Sequence, residues 1–243
     1  MRALSERRAE RVERHPWGVA IVTPALPTVW DANFLAVDRW DGSGAELTAE
    51  ADRVHAELGQ RHGRVVLHDE RLAQRVWNGL GWPIRSRYTL LAARRAPERE
   101  VDTAAVAELA QDEYRDAHLA WMREVGNDDD LALQLAELDS RTAAAVETRR
   151  LGIRADGEIV AMADLYLDGS VAQIEDVMTF AAHRGRGHAS AVVTAGVELA
   201  RSRGAELVFL VTSEADGPVP LYTRIGFEPI GVEHIAVRLP SPA

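Results

Sequence analysis

Three groups of residues have the types and spacing to do chemistry. The first is "HRGRGHAS", His183 to Ser190, where two arginines, two histidines and two glycines precede a stretch of helical character. A helix N-terminus offers unpaired N–H groups and a partial positive charge, and glycines let backbone approach a ligand closely. Together these make an anion site, with phosphate the usual occupant. The second group is the adjacent pair Glu175 and Asp176 in "VAQIEDVMTF", carboxylates able to accept a proton. The third is Tyr222 in "LYTRIGF", a phenol able to donate one. Each also has an ordinary reading: a solvated turn, solvated carboxylates and an amphipathic packing residue.

Two common phosphate sites are poor matches. A P-loop requires G-K-[ST], which is absent. A dinucleotide-binding turn requires G-x-G-x-x-G directly after a strand. Here the third glycine position is Ser190, and Ala181 to Arg184 separate the strand from the first glycine.

The elements that must carry these residues can be read along the chain. "VAQIEDVMTF" (171–180) reads as a strand, the basic turn follows it, and a helix runs from about 187 to 203 with Ala189, Val192, Val193, Gly196 and Ala200 as its buried stripe. "ELVFLV" (206–211) is a strand covered on both faces, 219–227 a short helix, and 234–239 a last strand. Alternation along 171–180 places Glu175 on the face of Val177 and Thr179, and Asp176 on the opposite face. Upstream, "RLGIRADGEIVAMADLYL" reads as a hairpin, preceded by helices over 103–124 and 129–147. In the N-terminal part, residues 1–16 read as a polar arm. Strands are expected at 18–24, 32–39, 64–67 and 86–94, and helices at 45–62, stopped by Gly63, and 71–82. "RAPERE" (95–100) marks a boundary, giving units 1–95 and 96–243.

The two parts share a pattern. "VWNGLGW" (76–82) aligns with "LYTRIGF" (221–227), and helix–Gly–strand over 45–67 aligns with the same order over 187–211. The alignment sets "WDGSGAE" (40–46) opposite the basic turn, with Asp41 and Glu46 where the second copy has arginine and histidine, and Trp77 opposite Tyr222. The first copy therefore lacks both the charge for an anion and the acid.

Arg184-x-x-Gly187-x-Ala189 followed by Leu221-Tyr222-x-x-x-Gly226-Phe227, with a helix and a buried strand between, resembles the GCN5-related N-acetyltransferase (GNAT) family. The ordered pair is far more specific than either motif alone. The resemblance implies a mixed, mainly antiparallel α/β (α+β) sheet flanked by helices, here with a second, related half-domain. It implies acetyl-CoA as co-substrate, its pyrophosphate on Arg184, Gly185, Arg186, Gly187, His188 and Ala189, and its pantetheine and thioester carbonyl on the strand backbone at Val177 and Thr179. Tyr222 stands where the family places its general acid, and Glu175 is the preferred base, acting through water. Thr179 replaces a frequent valine, and Ala215 replaces an asparagine often found seven residues before the tyrosine. The reaction implied is direct transfer of an acetyl group to a small-molecule or peptide amine. A non-catalytic acyl-CoA sensor is the alternative.

Composition narrows the rest. A net charge of −10 over 243 residues disfavours nucleic acid as a partner. The chain has no cysteine, which removes disulfides and a thiol nucleophile, and its eight histidines show no metal-ligand spacing. The charged N-terminus has no signal-peptide core, and no apolar run suits a membrane span. A cytoplasmic protein without membrane or metal is expected, and a homodimer stays open.

Overall fold

The computed structural model describes residues 2–215 and 217–240. In chain order the elements are α1 (Arg2–Arg8), β1 (Arg11–His15), β2 (Gly18–Val22), β3 (Phe34–Val37), α2 (Gly44–Glu57), β4 (Gly63–Leu67), α3 (Glu70–Val76), β5 (Ile84–Ala93), β6 (Val106–Glu108), α4 (Gln111–Glu124), α5 (Asp129–Ala145), β7 (Glu147–Ala155), β8 (Glu158–Asp168), β9 (Val171–Thr179), α6 (His188–Ser202), β10 (Leu207–Ser213), α7 (Val219–Arg224) and β11 (Phe227–Arg238). They group into two compact units. One comprises residues 2–89, 213–215 and 231–240, the other residues 90–212 and 217–230.

The first unit has strand order β1-β2-β3-β4-β11. Neighbours are antiparallel except β3 and β4, which run parallel and are joined through α2. Helix α2 forms because Ser43 and Glu46 make a reciprocal capping box and Leu47, Ala51 and Val54 give it a buried face. That face packs with Leu35, Val65, Leu72 and Trp82, while Val19, Ile21, Val66 and Ile235 form a separate cluster. Three expectations fail here. Residues 11–15 are a strand paired with β2, because edge pairing tolerates the polar sequence "RVERH". Helix α2 ends at Glu57, with Gly59 in the left-handed region, whereas Gly63 opens β4. Strand β11 is twelve residues long, and its His234–Arg238 stretch pairs with β4.

The second unit repeats the plan: three antiparallel strands (β7, β8, β9), a crossover helix (α6), a strand parallel to the third (β10), then a short helix (α7). Its strand order is β10-β9-β8-β7-β6. Val192, Val193, Val197 and Ala200 of α6 pack with Ile153, Leu165, Ile174 and Leu210. A second cluster joins Leu109, Tyr114, Met162 and Met178, with Trp121 and Phe180 against it. The expected helix over 103–124 begins only at Gln111. Val106–Glu108 pair instead with Leu151–Ile153, tertiary pairing overriding an alanine-rich local preference. Each unit is therefore a mixed, mainly antiparallel sheet flanked by helices.

Glu233 on β11 is buried in the first unit, with His68 Nδ1 3.3 Å away. Burial holds the His68 ring below its ordinary range, so this contact is not an ion pair at neutral pH. Burial also pushes the Glu233 carboxyl up to about 6, with the Arg64 charge opposing. A raised carboxyl favours the folded state at low pH, and that stability is lost as pH rises through about 6. The loss is worth about 2 kcal/mol. Glu233→Gln is expected to gain about 1–2 kcal/mol over the parent at pH 7.5 and nothing at pH 4 in urea unfolding. The same difference at both pH values would contradict this.

Candidate active site

Helix α6 begins at a glycine. Gly187 is its N-cap, with φ +83° and ψ −1°, and Gly185 two residues earlier has φ +75°. A β-carbon at either would meet nothing within 4 Å, so the space over the turn is open. No side chain caps α6, which leaves its first N–H groups without intrahelical partners. The arginine stems fold back onto the preceding turn. Arg184 Nε donates to the Thr179 carbonyl at 3.1 Å, and Arg186 donates to the Ala182 carbonyl at 3.2 Å. The turn thus gathers all six residues expected there. Arg184, Gly185, Arg186 and Gly187 are exposed, while His188 and Ala189 are half-buried. Helix α2 differs. The Ser43 hydroxyl accepts from the Glu46 N–H at 3.2 Å, and the Glu46 carboxylate accepts from the Ser43 N–H at 2.7 Å. A carboxylate of the chain itself occupies that helix end.

Strand β9 lies beside the basic turn and is partly open. Its parallel pairing with β10 runs from Leu207↔Val171 to Leu210↔Ile174 and, among the described residues, ends there. On its other edge β9 stays paired with β8 as far as Thr179↔Ala161. The stretch Glu175–Thr179 is thus held on one side only. Val177 packs against the α6-side core, and Thr179 is half-buried with an unpartnered hydroxyl.

A β-bulge interrupts this stretch. Between Met162↔Met178 and Asp164↔Glu175, β8 contributes one residue and β9 two, Asp176 and Val177. Asp176 takes φ +50°, unusual for a residue with a side chain. The extra residue resets the alternation, which corrects the expected faces. Glu175 lies across from Asp164 and accepts from the Gln173 amide, placing it on the face of Asp164, Tyr166 and Gln173. Val177 and Thr179 lie on the other face, with α6.

Tyr222 sits on α7, buried at 7% exposure, its ring 6.0 Å from that of Phe227. Burial, and then the negative charge of Glu175, pushes its hydroxyl up to about 12. It therefore stays protonated at neutral pH, and the dependence on Glu175 puts the two groups within electrostatic reach.

Sequence reasoning passed over a polar cluster behind Glu175. Arg150 on β7 donates to both carboxylate oxygens of Asp139 on α5, at 3.0 and 2.8 Å. Its guanidinium lies 4.8 Å from the centre of the Tyr114 ring on α4. Tyr166 donates to Asp164 at 3.3 Å. Asp164 is wholly buried, and burial, then the Asp176 and Asp139 charges, drive its carboxyl well above the usual range. Two signals were available: an aspartate inside the apolar run "IVAMADLYL", and the spacing Tyr114, His118, Trp121 along one helix face. Among the described residues no group of three or more His, Asp or Glu could hold a metal ion, and no helix is long and apolar enough to cross a membrane.

The sequence profile of the acetyltransferase (GNAT) family matches residues 103–227, more than half of the chain. The chain belongs to the GNAT family. A GCN5-related N-acetyltransferase from Kribbella flavida is 22% identical, with 97% of this chain and 94% of that one covered and a TM-score of 0.67. A functionally unknown conserved protein from Staphylococcus epidermidis ATCC 12228 is 14% identical over 96% and 95%, with a TM-score of 0.70. A tandem GNAT protein from the clavulanic acid biosynthesis pathway is 13% identical over 82% and 70%, with a TM-score of 0.59. At these identities the likeness is one of fold, and the tandem GNAT supports reading the two units as related halves. No curated protein matched.

The bulge makes a local prediction. Asparagine tolerates the left-handed region and a β-branched residue does not. Asp176→Asn should stay close to the parent in thermal unfolding, whereas Asp176→Val should lose about 1–2 kcal/mol. Equal melting of the two variants would contradict the bulge geometry.

Proposed function

We propose that this GNAT protein transfers an acetyl group from acetyl-CoA directly to an amine. The observation that carries the reading is the uncapped, glycine-opened N-terminus of α6 beside a strand held on one edge only. These residues fit the co-substrate. The open space over Gly185 and Gly187 admits a pyrophosphate against backbone, and Arg184 and Arg186 add positive charge in a chain of net charge −10. Acetyl-CoA supplies a thioester-activated acyl group.

The remaining work falls to this chain's side chains and backbone. Backbone of β9 at Val177 and Thr179, where the Thr179 carbonyl is already bonded to Arg184, holds the pantetheine arm and the acyl carbonyl. Glu175 removes a proton from the amine through water, because only a neutral amine nitrogen can attack. Tyr222 keeps its proton for the departing sulfur. A phenol near 12 is a weak donor toward a thiol that titrates near 8.5. Burial is the larger reason for that weakness and the Glu175 charge the smaller, so Tyr222 becomes a somewhat stronger acid than before once Glu175 takes up a proton.

The first unit serves as a non-binding half, since Glu46 fills the helix end where an anion would sit. The acceptor is a small-molecule or peptide amine, with neither nucleic acid nor membrane involved, and the site is cytoplasmic.

Gly187→Asp adds a negative charge at the open turn. Calorimetric titration should show acetyl-CoA binding weakened more than tenfold, for a loss above about 1.4 kcal/mol. The variant should lose about 1–2 kcal/mol of stability, because a side chain at φ +83° is strained even though nothing crowds it, and should stay folded at the titration temperature. An unchanged dissociation constant would overturn the reading. Tyr222→Phe should keep cofactor affinity and lower CoA release on an amine panel by about 10²–10⁴-fold. Full activity in this variant would remove Tyr222 from the mechanism.

A further inference from the structure

Helix α4 ends on a residue that its own dipole disfavours. Glu124 is the last residue of α4, where a helix presents unpaired carbonyls and a partial negative charge. Its neighbour Arg123 is engaged with Asp129 at 2.7 Å, across the turn to α5. The helix end is closed without Glu124. The Asn127 N–H donates to the Met122 carbonyl at 3.1 Å and the Gly126 N–H to the Arg123 carbonyl at 3.0 Å, with Gly126 at φ +93°. The Glu124 side chain instead reaches away from its helix. Its Oε1 accepts from the Ala181 N–H at 2.8 Å, 57 residues further along the chain. Ala181 opens the turn that leads from the end of β9 to the glycines before α6.

Several other bonds of that turn close on the turn itself. The His183 N–H donates to the Phe180 carbonyl at 2.9 Å and the Arg184 N–H to the Ala181 carbonyl at 3.3 Å, while the side chains of Arg184 and Arg186 fold back onto Thr179 and Ala182. The Phe180 N–H reaches the Val160 carbonyl on β8 at 3.1 Å and ties the start of the turn to the sheet. Trp121, one helical turn before Glu124, and Phe180, the residue before Ala181, pack against the same apolar cluster. Helix α4 therefore supports the turn by apolar packing at Phe180 and by a hydrogen bond at Ala181.

We propose that Glu124 is a positioning residue for the co-substrate: it fixes the turn Ala181–Gly187 from the α4 side, so that the backbone meant for the pyrophosphate is in place before acetyl-CoA arrives. This deepens the acetyltransferase reading above and rests on it. A turn ordered in advance loses less freedom on binding and so binds more tightly. The carboxylate carries the wrong charge for the neighbourhood of an anion site, but Glu124 is exposed, and an exposed charge is screened by salt. The bond it makes, and not its charge, explains a glutamate at this helix end.

Two variants separate bond from charge. Glu124→Gln keeps an acceptor oxygen and drops the charge, whereas Glu124→Ala drops both. Glu124 and Ala181 are both exposed, so both variants should melt with the parent. Amide nitrogen NMR order parameters of the full chain, measured without co-substrate, should stay near about 0.85 over Ala181–Gly187 in the parent and in Glu124→Gln, and fall toward about 0.6 in Glu124→Ala. Calorimetric titration should show acetyl-CoA bound about fivefold more weakly by Glu124→Ala, and within about twofold of the parent by Glu124→Gln. Unchanged order parameters or an unchanged dissociation constant in Glu124→Ala overturns the proposal. So does equal tightening of acetyl-CoA binding in both variants, which would make Glu124 no more than a repelling charge. A parent that binds no acetyl-CoA overturns the acetyltransferase reading itself, and that result is distinct from the others, which compare variants with a parent that binds.

Discussion

Strand β9 stays paired with β8 on both sides of its bulge but leaves β10 after Ile174. Nearly every functional feature depends on that parting. Backbone groups that a continuous sheet would consume are left over from Glu175 to Thr179. They lie one short turn before the end of α6, where more N–H groups have no partner. A buried backbone group must be satisfied somewhere, so the parting is stable only where water or a ligand can reach it. In the first unit β3 pairs with β4 through Val37↔Leu67, the last residue of each strand, and α2 is closed by its own Glu46. The same order of elements thus appears once open and once closed.

The bulge is the second constraint. Without it, strand alternation would set Glu175 with Val177 and Thr179, and Asp176 apart from both. With it, Glu175 turns toward Asp164 and Gln173, away from the face where Val177 packs. A left-handed aspartate has an energetic cost, and it recurs here beside a buried aspartate with an unsatisfied oxygen. Two unfavourable features on adjoining strands at the mouth of an open edge are easier to explain by function than by folding.

Legibility in the sequence followed the range of the interactions. The basic turn, α6 and Tyr222 could be read because their signals are local: glycine spacing, a 3.6-residue stripe, a short motif. The repeat could be read because both copies keep helix–Gly–strand order. Strand β1 was missed because edge pairing overrode a polar sequence, and β6 because pairing with β7 overrode an alanine-rich one. The face of Glu175 was misassigned because a bulge is a relation between two strands, and one strand's residues do not announce it. The cluster of Asp139, Arg150 and Asp164 draws on three elements and has no linear signature, although Asp164 within an apolar strand was a visible irregularity.

The central claim is that the open end of α6, and not the closed end of α2, receives the anionic co-substrate. Backbone amide NMR during titration with acetyl-CoA tests it residue by residue. The account predicts that the N–H signals of Gly185 to Ser190, with those of Val177 and Thr179, move and saturate at one equivalent per chain while Ser43 to Glu46 stay still. Shifts at Ser43 to Glu46 of comparable size, or none at Gly185 to Ser190, would contradict it.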